Sequence, residues 1–266
     1  MRLPESEVLL DMQRATPCIG LCALFATLPG VARPQDATAT IARAQQTLTE
    51  IDRLLDGIQA RNGAGGAREA RTAAGAWKTL FDGRSLAGWK RTEFAGGGEV
   101  HVAAAFRGGP PAIIVESGSA LSGFNWTGDV PRTNYEIALD TMKLEGSDFS
   151  CGLTFPVADS YASLILGGWG GGVVGISSID HMDASENETT KYIPFPKDKW
   201  YKVRMRVTPG KLEAWLDEKK IVDQDIRGRK IDLRPGEIFK SKPLGIATYQ
   251  TRAAFRDIKL RRIDRE

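Results

Sequence analysis

From Tyr201 to Val207 the chain alternates. Tyr201, Val203, Met205 and Val207 take one set of positions, and Lys202, Arg204 and Arg206 fall between them. A period of two puts the two sets on opposite faces of the backbone, so the run reads as a half-buried β-strand. Thr208, Pro209, Gly210 and Lys211 follow with the chemistry of a turn. Leu212, Ala214 and Leu216 then share one face of a second strand, residues 217–220 turn again, and residues 221–225 supply a third. The three together predict an antiparallel meander. Further strands are predicted at 112–117, 135–144, 150–155, 161–168, 172–177, 243–249 and 255–263. No long helical period follows Trp77. Many short strands with Gly/Pro turns predict an all-β sandwich or barrel.

The chain before Trp77 is patterned differently. Residues 1–37 read as a signal and processing region: Arg14 precedes an apolar run, Cys18 to Leu28, that Pro29 and Gly30 break. The run is shorter than the ~20 residues a bilayer span takes. Met12 is an alternative start to Met1. A periplasmic or secreted location is the expectation, with no transmembrane segment after cleavage. Over 38–60, Ile41, Ala44, Leu48, Ile51, Leu55 and Ile58 recur every three or four residues, which predicts an amphipathic helix. Self-association through residues 41–58 and docking on its own domain are both open. Residues 61–76 are rich in Gly and Ala and read as a linker. Residues 77–263 form the domain.

Net charge narrows the partners. At +3 over 266 residues the balance speaks against a dedicated nucleic-acid binder. Three cysteines are present, and only Cys151 lies beyond the apolar run. Thiol catalysis has little support without a matching Cys/His pattern, so Cys151 reads as a small buried hydrophobe. His101, between Val100 and Val102, reads as an outward strand residue.

The segment 77–90, WKTLFDGRSLAGWK, resembles the opening signature of the 3-keto-disaccharide hydrolase domain family, which includes 3-keto-glycoside lyases and hydratases. Residues 133–144, 147–155, 200–223 and 243–263 resemble its long strand, small-residue strand, late hairpin and closing strands. The resemblance implies a concanavalin A-like, laminin-G-like jelly roll of two antiparallel sheets, export, and sugar substrates oxidised at C3. The chain departs from the family pattern at Phe155, where many members carry arginine, at Ser163, and at Thr251, where histidine is common.

Cleaving a 3-keto sugar by elimination needs a base for the C2 proton, a group to stabilise the enolate and an acid for the leaving oxygen. The densest supply of such groups lies between Ser177 and Thr190. There Asp180 or Glu186 is the candidate base, with His181 assisting, and a solvated acidic loop is the plain alternative. Oxygen ligands in that loop suit a divalent cation, although the spacing matches no EF-hand or zinc motif. No nucleotide or redox cofactor is expected. Trp169, flanked by glycines, is the candidate platform for a sugar ring. Tyr161, Asp148, Gln250 and Arg252 are candidate substrate contacts, and turn or strand-surface roles are the alternative for each. Three functions remain: cleavage of 3-keto-glycosides, non-catalytic, lectin-like carbohydrate binding, or an interaction protein that assembles through the N-terminal helix.

Overall fold

A computed structural model describes residues 75–264 and, ahead of them, Gln46, Thr47, Glu50, Ile51, Arg53 and Leu54. Those six are helical and exposed, within the stretch where an amphipathic helix is predicted. The rest of that helix, the apolar run at 18–28 and most of the linker lie outside the described residues. Among the described residues no helix is long and apolar enough to cross a membrane.

Two antiparallel sheets make a jelly-roll sandwich. In chain order the strands are β1 (Lys78–Thr79), β2 (Trp89–Arg91), β3 (Val100–Ala103), β4 (Ala112–Val115), β5 (Leu121–Trp126), β6 (Tyr135–Glu145), β7 (Cys151–Val157) and β8 (Ser160–Gly168). They continue as β9 (Val173–Ser177), β10 (Lys191–Tyr192), β11 (Trp200–Val207), β12 (Lys211–Leu216), β13 (Lys219–Asp225), β14 (Gly245–Tyr249) and β15 (Arg252–Arg262). One sheet runs β13-β12-β11-β6-β15-β4-β3, with β1 on β15, and the other runs β10-β9-β8-β7-β14-β5-β2. The predicted meander is β11, β12 and β13, paired in that order.

Period-two patterning fills the space between the sheets. Tyr135, Ile137 and Leu139 from β6 meet Cys151, Leu153 and Phe155 from β7, with Phe124 and Phe255 stacked edge to face. Burial pushes the Cys151 thiol up to about 12, so it packs as a hydrophobe and is no nucleophile. The opening segment is explained by its contacts. Asp82 accepts the N–H groups of Arg84 and Ser85, closing a turn at 2.8 Å each. Seven residues on, Trp89 enters the core, donates its indole N–H to the Leu80 carbonyl at 2.7 Å, and packs on Phe124 and Trp126. The indole thereby pins the start of the domain to the seven-stranded sheet.

Strands β1, β2, β5 and β10 are absent from the sequence-based expectation, and β5 is the longest of them. β5 reads LSGFNW, with only Phe124 in the core cluster and Trp126 packed against it. Its other face carries Gly123, whose Cβ would lie 2.3 Å from the Ile246 carbonyl oxygen. A strand that must admit a neighbour's backbone so closely loses the alternation by which strands are recognised.

Candidate active site

The outer face of the seven-stranded sheet is built from small residues, and two loops cover it. On β8, Leu164 and Leu166 point to the core, so Ile165 points outward, where it joins Phe149, Val173 and Ala184. Its cross-strand partner is Gly152, and a Cβ there would stand 3.1 Å from the Phe149 ring. Glycine thus lets Phe149 lie down against the sheet and meet Tyr249, 5.9 Å between ring centroids. Tyr249 pairs with Leu121 across β14 and β5.

Leu121, Phe149, Ile165 and Tyr249 floor a cleft of about 430 Å³. Trp169, Asp148, Arg234, Pro235, Glu237 and Ile238 complete its walls. Trp169 stands on the tight turn after β8, at φ 47°, and keeps 43% of its surface exposed. Asp148 fixes that turn from below: it accepts the N–H of Gly170 at 3.0 Å and that of Phe149 at 2.7 Å.

The opposite wall is a strap, residues 226–243, laid over the sheet and tied down at intervals. Ser178 and Asp232 exchange backbone hydrogen bonds. Asp180 accepts the Lys230 N–H at 2.7 Å, and Arg229 bridges Asp180 and Glu188. Arg234 pairs with Asp183 at 2.9 Å, and its guanidinium lies 5.8 Å from the Trp169 ring centroid. At the strap's far end, Asn125 donates to the Lys240 and Lys242 carbonyls at 2.6 and 2.9 Å. Glu237 takes the Ala95 N–H and the Lys240 ammonium. The Lys240 ammonium, then the Ala95 N–H, hold Glu237 below the usual carboxylate range.

An apolar, aromatic floor with a few charged groups at its rim is the usual build of a small-molecule site. Here the rim brings together two carboxylates, a guanidinium and an exposed indole. The family described as the 3-keto-alpha-glucoside-1,2-lyase-like domain matches residues 76–261. The chain belongs to that family. It is a carbohydrate-active family. No curated protein matches the sequence. Among solved structures, a protein of unknown function with a galectin-like fold from Bacillus subtilis is 11% identical, with 73% of this chain and 98% of that chain covered at a TM-score of 0.49. Domain 4 of AbnA, a GH43 extracellular arabinanase from Geobacillus stearothermophilus, is 12% identical, with 72% and 93% covered and a TM-score of 0.46. The carbohydrate-binding module CBM66 from Bacillus subtilis is 11% identical, with 65% and 95% covered and a TM-score of 0.44.

In this 3-keto-alpha-glucoside-1,2-lyase-like domain, two of the site residues named from sequence, Trp169 and Asp148, line the cleft. The trio Asp180, His181 and Glu186 does not. Asp180 is an anchor: the Lys230 N–H, then the Arg229 side chain, hold its carboxyl below the usual range. Glu186 accepts the Asp183 N–H at 3.4 Å, and His181 is exposed. Their density in the sequence reflects strap-fastening and turn formation, with Asp180 and His181 both at positive φ. Tyr161 lies toward the other end of β8. Gln250 donates to the Ser119 carbonyl at 2.9 Å. Arg252 begins the last strand, in the other sheet, and is paired with Glu116 at 2.7 Å. Among the described residues no group of His, Cys, Asp and Glu is arranged to hold a metal ion.

The cleft residues that sequence reasoning passes over are Arg234, Glu237, Phe149 and Tyr249. The first two sit in an aperiodic stretch, RPGE, with no motif around it. The aromatic pair looks like ordinary strand-end packing until the register sets it beside Gly152.

Proposed function

We propose that this protein cleaves 3-keto-glycosides by elimination in the cleft under Trp169, and that it works outside the cytoplasm. The observation that carries the reading is the convergence of Asp148, Arg234, Glu237 and Tyr249 around a floor for a sugar ring, in a chain of this family. The ring lies against Trp169 and the Phe149–Tyr249 floor. Asp148 removes the C2 proton, and the electron pair passes into the C3 carbonyl as an enolate. The Arg234 guanidinium, always charged, faces that oxyanion. Collapse of the enolate forms the C1–C2 double bond and expels the glycosidic oxygen, which the Tyr249 hydroxyl protonates. Water then adds across C1 and C2, and the sum is hydrolysis. Glu237, held ionised, accepts hydrogen bonds from sugar hydroxyls. The apolar run at 18–28 supports export.

Incubation with a 3-keto-glucoside tests the activity: release of the aglycone with a transient 2-hydroxy-3-keto-glucal is expected, and it is lost in Asp148→Asn. Saturable binding of the keto sugar without turnover supports the second reading, a lectin-like module, which the half-exposed indole would serve equally well. Cell fractionation with N-terminal sequencing tests export: a processed chain in the periplasmic fraction is expected, and a full-length chain confined to the cytoplasmic fraction would overturn it.

A further inference from the structure

Most arginines on the two sheets are matched to carboxylates. Arg204, Arg206 and Arg261 surround Glu136, Arg256 meets Asp140, and Arg252 meets Glu116. Arg132 and Lys242 differ. Both are exposed, and among the described residues neither makes an ion pair. Both are drawn to one ring. The Arg132 guanidinium lies 5.0 Å from the Tyr161 centroid and donates to the Tyr161 hydroxyl at 3.1 Å. Its Nε donates to the Ala158 carbonyl, which fixes the fork in place. The Lys242 ammonium lies 5.4 Å from the same centroid and 4.8 Å from that of Phe239. Phe239 itself keeps 39% of its surface exposed. Two cations without a carboxylate beside an exposed aromatic face make a site for a ring that carries a negative charge.

Its position says what the ligand is attached to. Tyr161, Ser163 and Ile165 alternate on β8, so Tyr161 shares the outer face with Ile165, which floors the cleft. Four residues of strand separate them by about 13 Å at ~3.3 Å per residue. A short helical turn, Glu237–Ser241, spans the gap. Glu237 and Ile238 line the cleft, and the next residue, Phe239, faces the patch. A sugar chain seated under Trp169 and running over this turn brings a later unit to Arg132 and Lys242.

Resting on the proposed role of the cleft, we infer that Arg132, Lys242, Tyr161 and Phe239 form a second subsite for an acidic sugar unit, so that the substrate is an oligosaccharide bearing a carboxylate or a sulfate ester away from the reacting ring. The cations supply charge-assisted hydrogen bonds to the anionic group, and Phe239 supplies a face for its ring.

Isothermal titration of the full chain tests this with three matched short oligosaccharides: one neutral, one ending in glucuronate, one with a single sulfate ester. The anionic ligands are expected to bind about five- to tenfold more tightly at low salt, the worth of one or two partly exposed charge contacts. That advantage should disappear near 0.5 M salt, where the screening length is about 4 Å. Lys242→Gln should remove most of it and leave the neutral ligand's Kd unchanged, and Lys242→Arg should restore it. Preference for both anions marks a charge site, and preference for glucuronate alone marks one shaped for a carboxylate. Equal binding of all three ligands overturns the subsite, as does a preference that survives Lys242→Gln. If the neutral ligand binds and Trp169→Ala abolishes that binding, the cleft stands even where the subsite falls. If no ligand binds at all, both fall.

Discussion

Asp148 accepts the backbone N–H of Gly170 at 3.0 Å, so the carboxylate that faces the cleft also fixes the turn that presents Trp169. The proposed base and the platform are thus one unit. Lys143, whose ammonium burial then Lys197 push below its usual range, sits behind this turn. The double duty of Asp148 separates two substitutions. Asp148→Asn keeps an acceptor for the Gly170 N–H and removes the proposed base. It should lower kcat on a 3-keto-glucoside by about a hundredfold or more, the usual worth of a general base, with KM little changed. Asp148→Ala should also raise KM, because the Trp169 turn is released. Steady-state kinetics on the two variants side by side checks this, and an equal KM in both would show that the turn holds without its anchor.

The turn has a second control point. Gly171 sits at φ +107°, and a Cβ there would lie 2.7 Å from the Ser147 carbonyl oxygen. Gly171→Ala therefore meets both a left-handed backbone and an occupied space, at a cost of about 1–3 kcal/mol. Weaker sugar binding with a shifted tryptophan emission is expected, together with a modest fall in Tm. Unchanged emission would mean that the indole is positioned by its other neighbours.

Legibility in the sequence follows the physics of each part. The strands that pack into the core are readable because Tyr201, Val203 and Met205 obey the period of two that burial on one face imposes. β5 is not, because Gly123 and Asn125 answer to the neighbouring strand and to the strap rather than to the core. For the site, Trp169 among glycines is readable as a cleared backbone. Asp180 and Glu188 are conspicuous for their charge, yet the structure uses them to hold Arg229. Arg234 and Glu237 act through a strap whose path across the sheet has no local signature at all.

That strap gives a further expectation. Arg229 bridges Asp180 and Glu188, and both carboxyls are held low, Asp180 by the Lys230 N–H then Arg229, Glu188 by Arg229 first. Arg229→Ala leaves Asp180 with the Lys230 N–H and Glu188 with the Gln224 amide at 2.8 Å. The global Tm should move little, because the pairs are partly exposed. Amide exchange over residues 229–236 should rise while the sheet cores stay protected. Activity should fall through KM, since Arg234 and Glu237 ride on the same segment. An exchange pattern identical to that of the unaltered protein would show that the backbone bonds between Ser178 and Asp232 suffice to hold the strap.

The opposite sheet supplies the last prediction. Glu136 is fully buried on the outer face of β6, yet Arg204 reaches it at 2.7 Å, Arg206 at 2.8 Å, and Arg261 donates through Nε at 2.7 Å. β11 and β15 flank β6, with Arg206 and Arg261 directly opposite Glu136 in register. One carboxylate thus joins three strands. Burial pushes its carboxyl up, and the Arg206 and Arg261 hydrogen bonds, with the charge of Arg204, outweigh that and hold it below the usual range. Removing one partner of a buried ionic network costs about 3–5 kcal/mol. Glu136→Gln, which leaves three clustered guanidiniums without their anion, should therefore lower Tm by roughly 6–20 °C for a domain of this size. The pH dependence distinguishes this from loss of shape. A carboxyl depressed in the folded state contributes stability above its unfolded pKa of about 4.3 and loses it as pH falls through the folded value. The Tm gap between the two proteins should then be widest from pH 5 upward and should close as the medium is acidified below about pH 4. A gap independent of pH would show that the substituted amide misfits the site and that the charge of Glu136 contributes nothing.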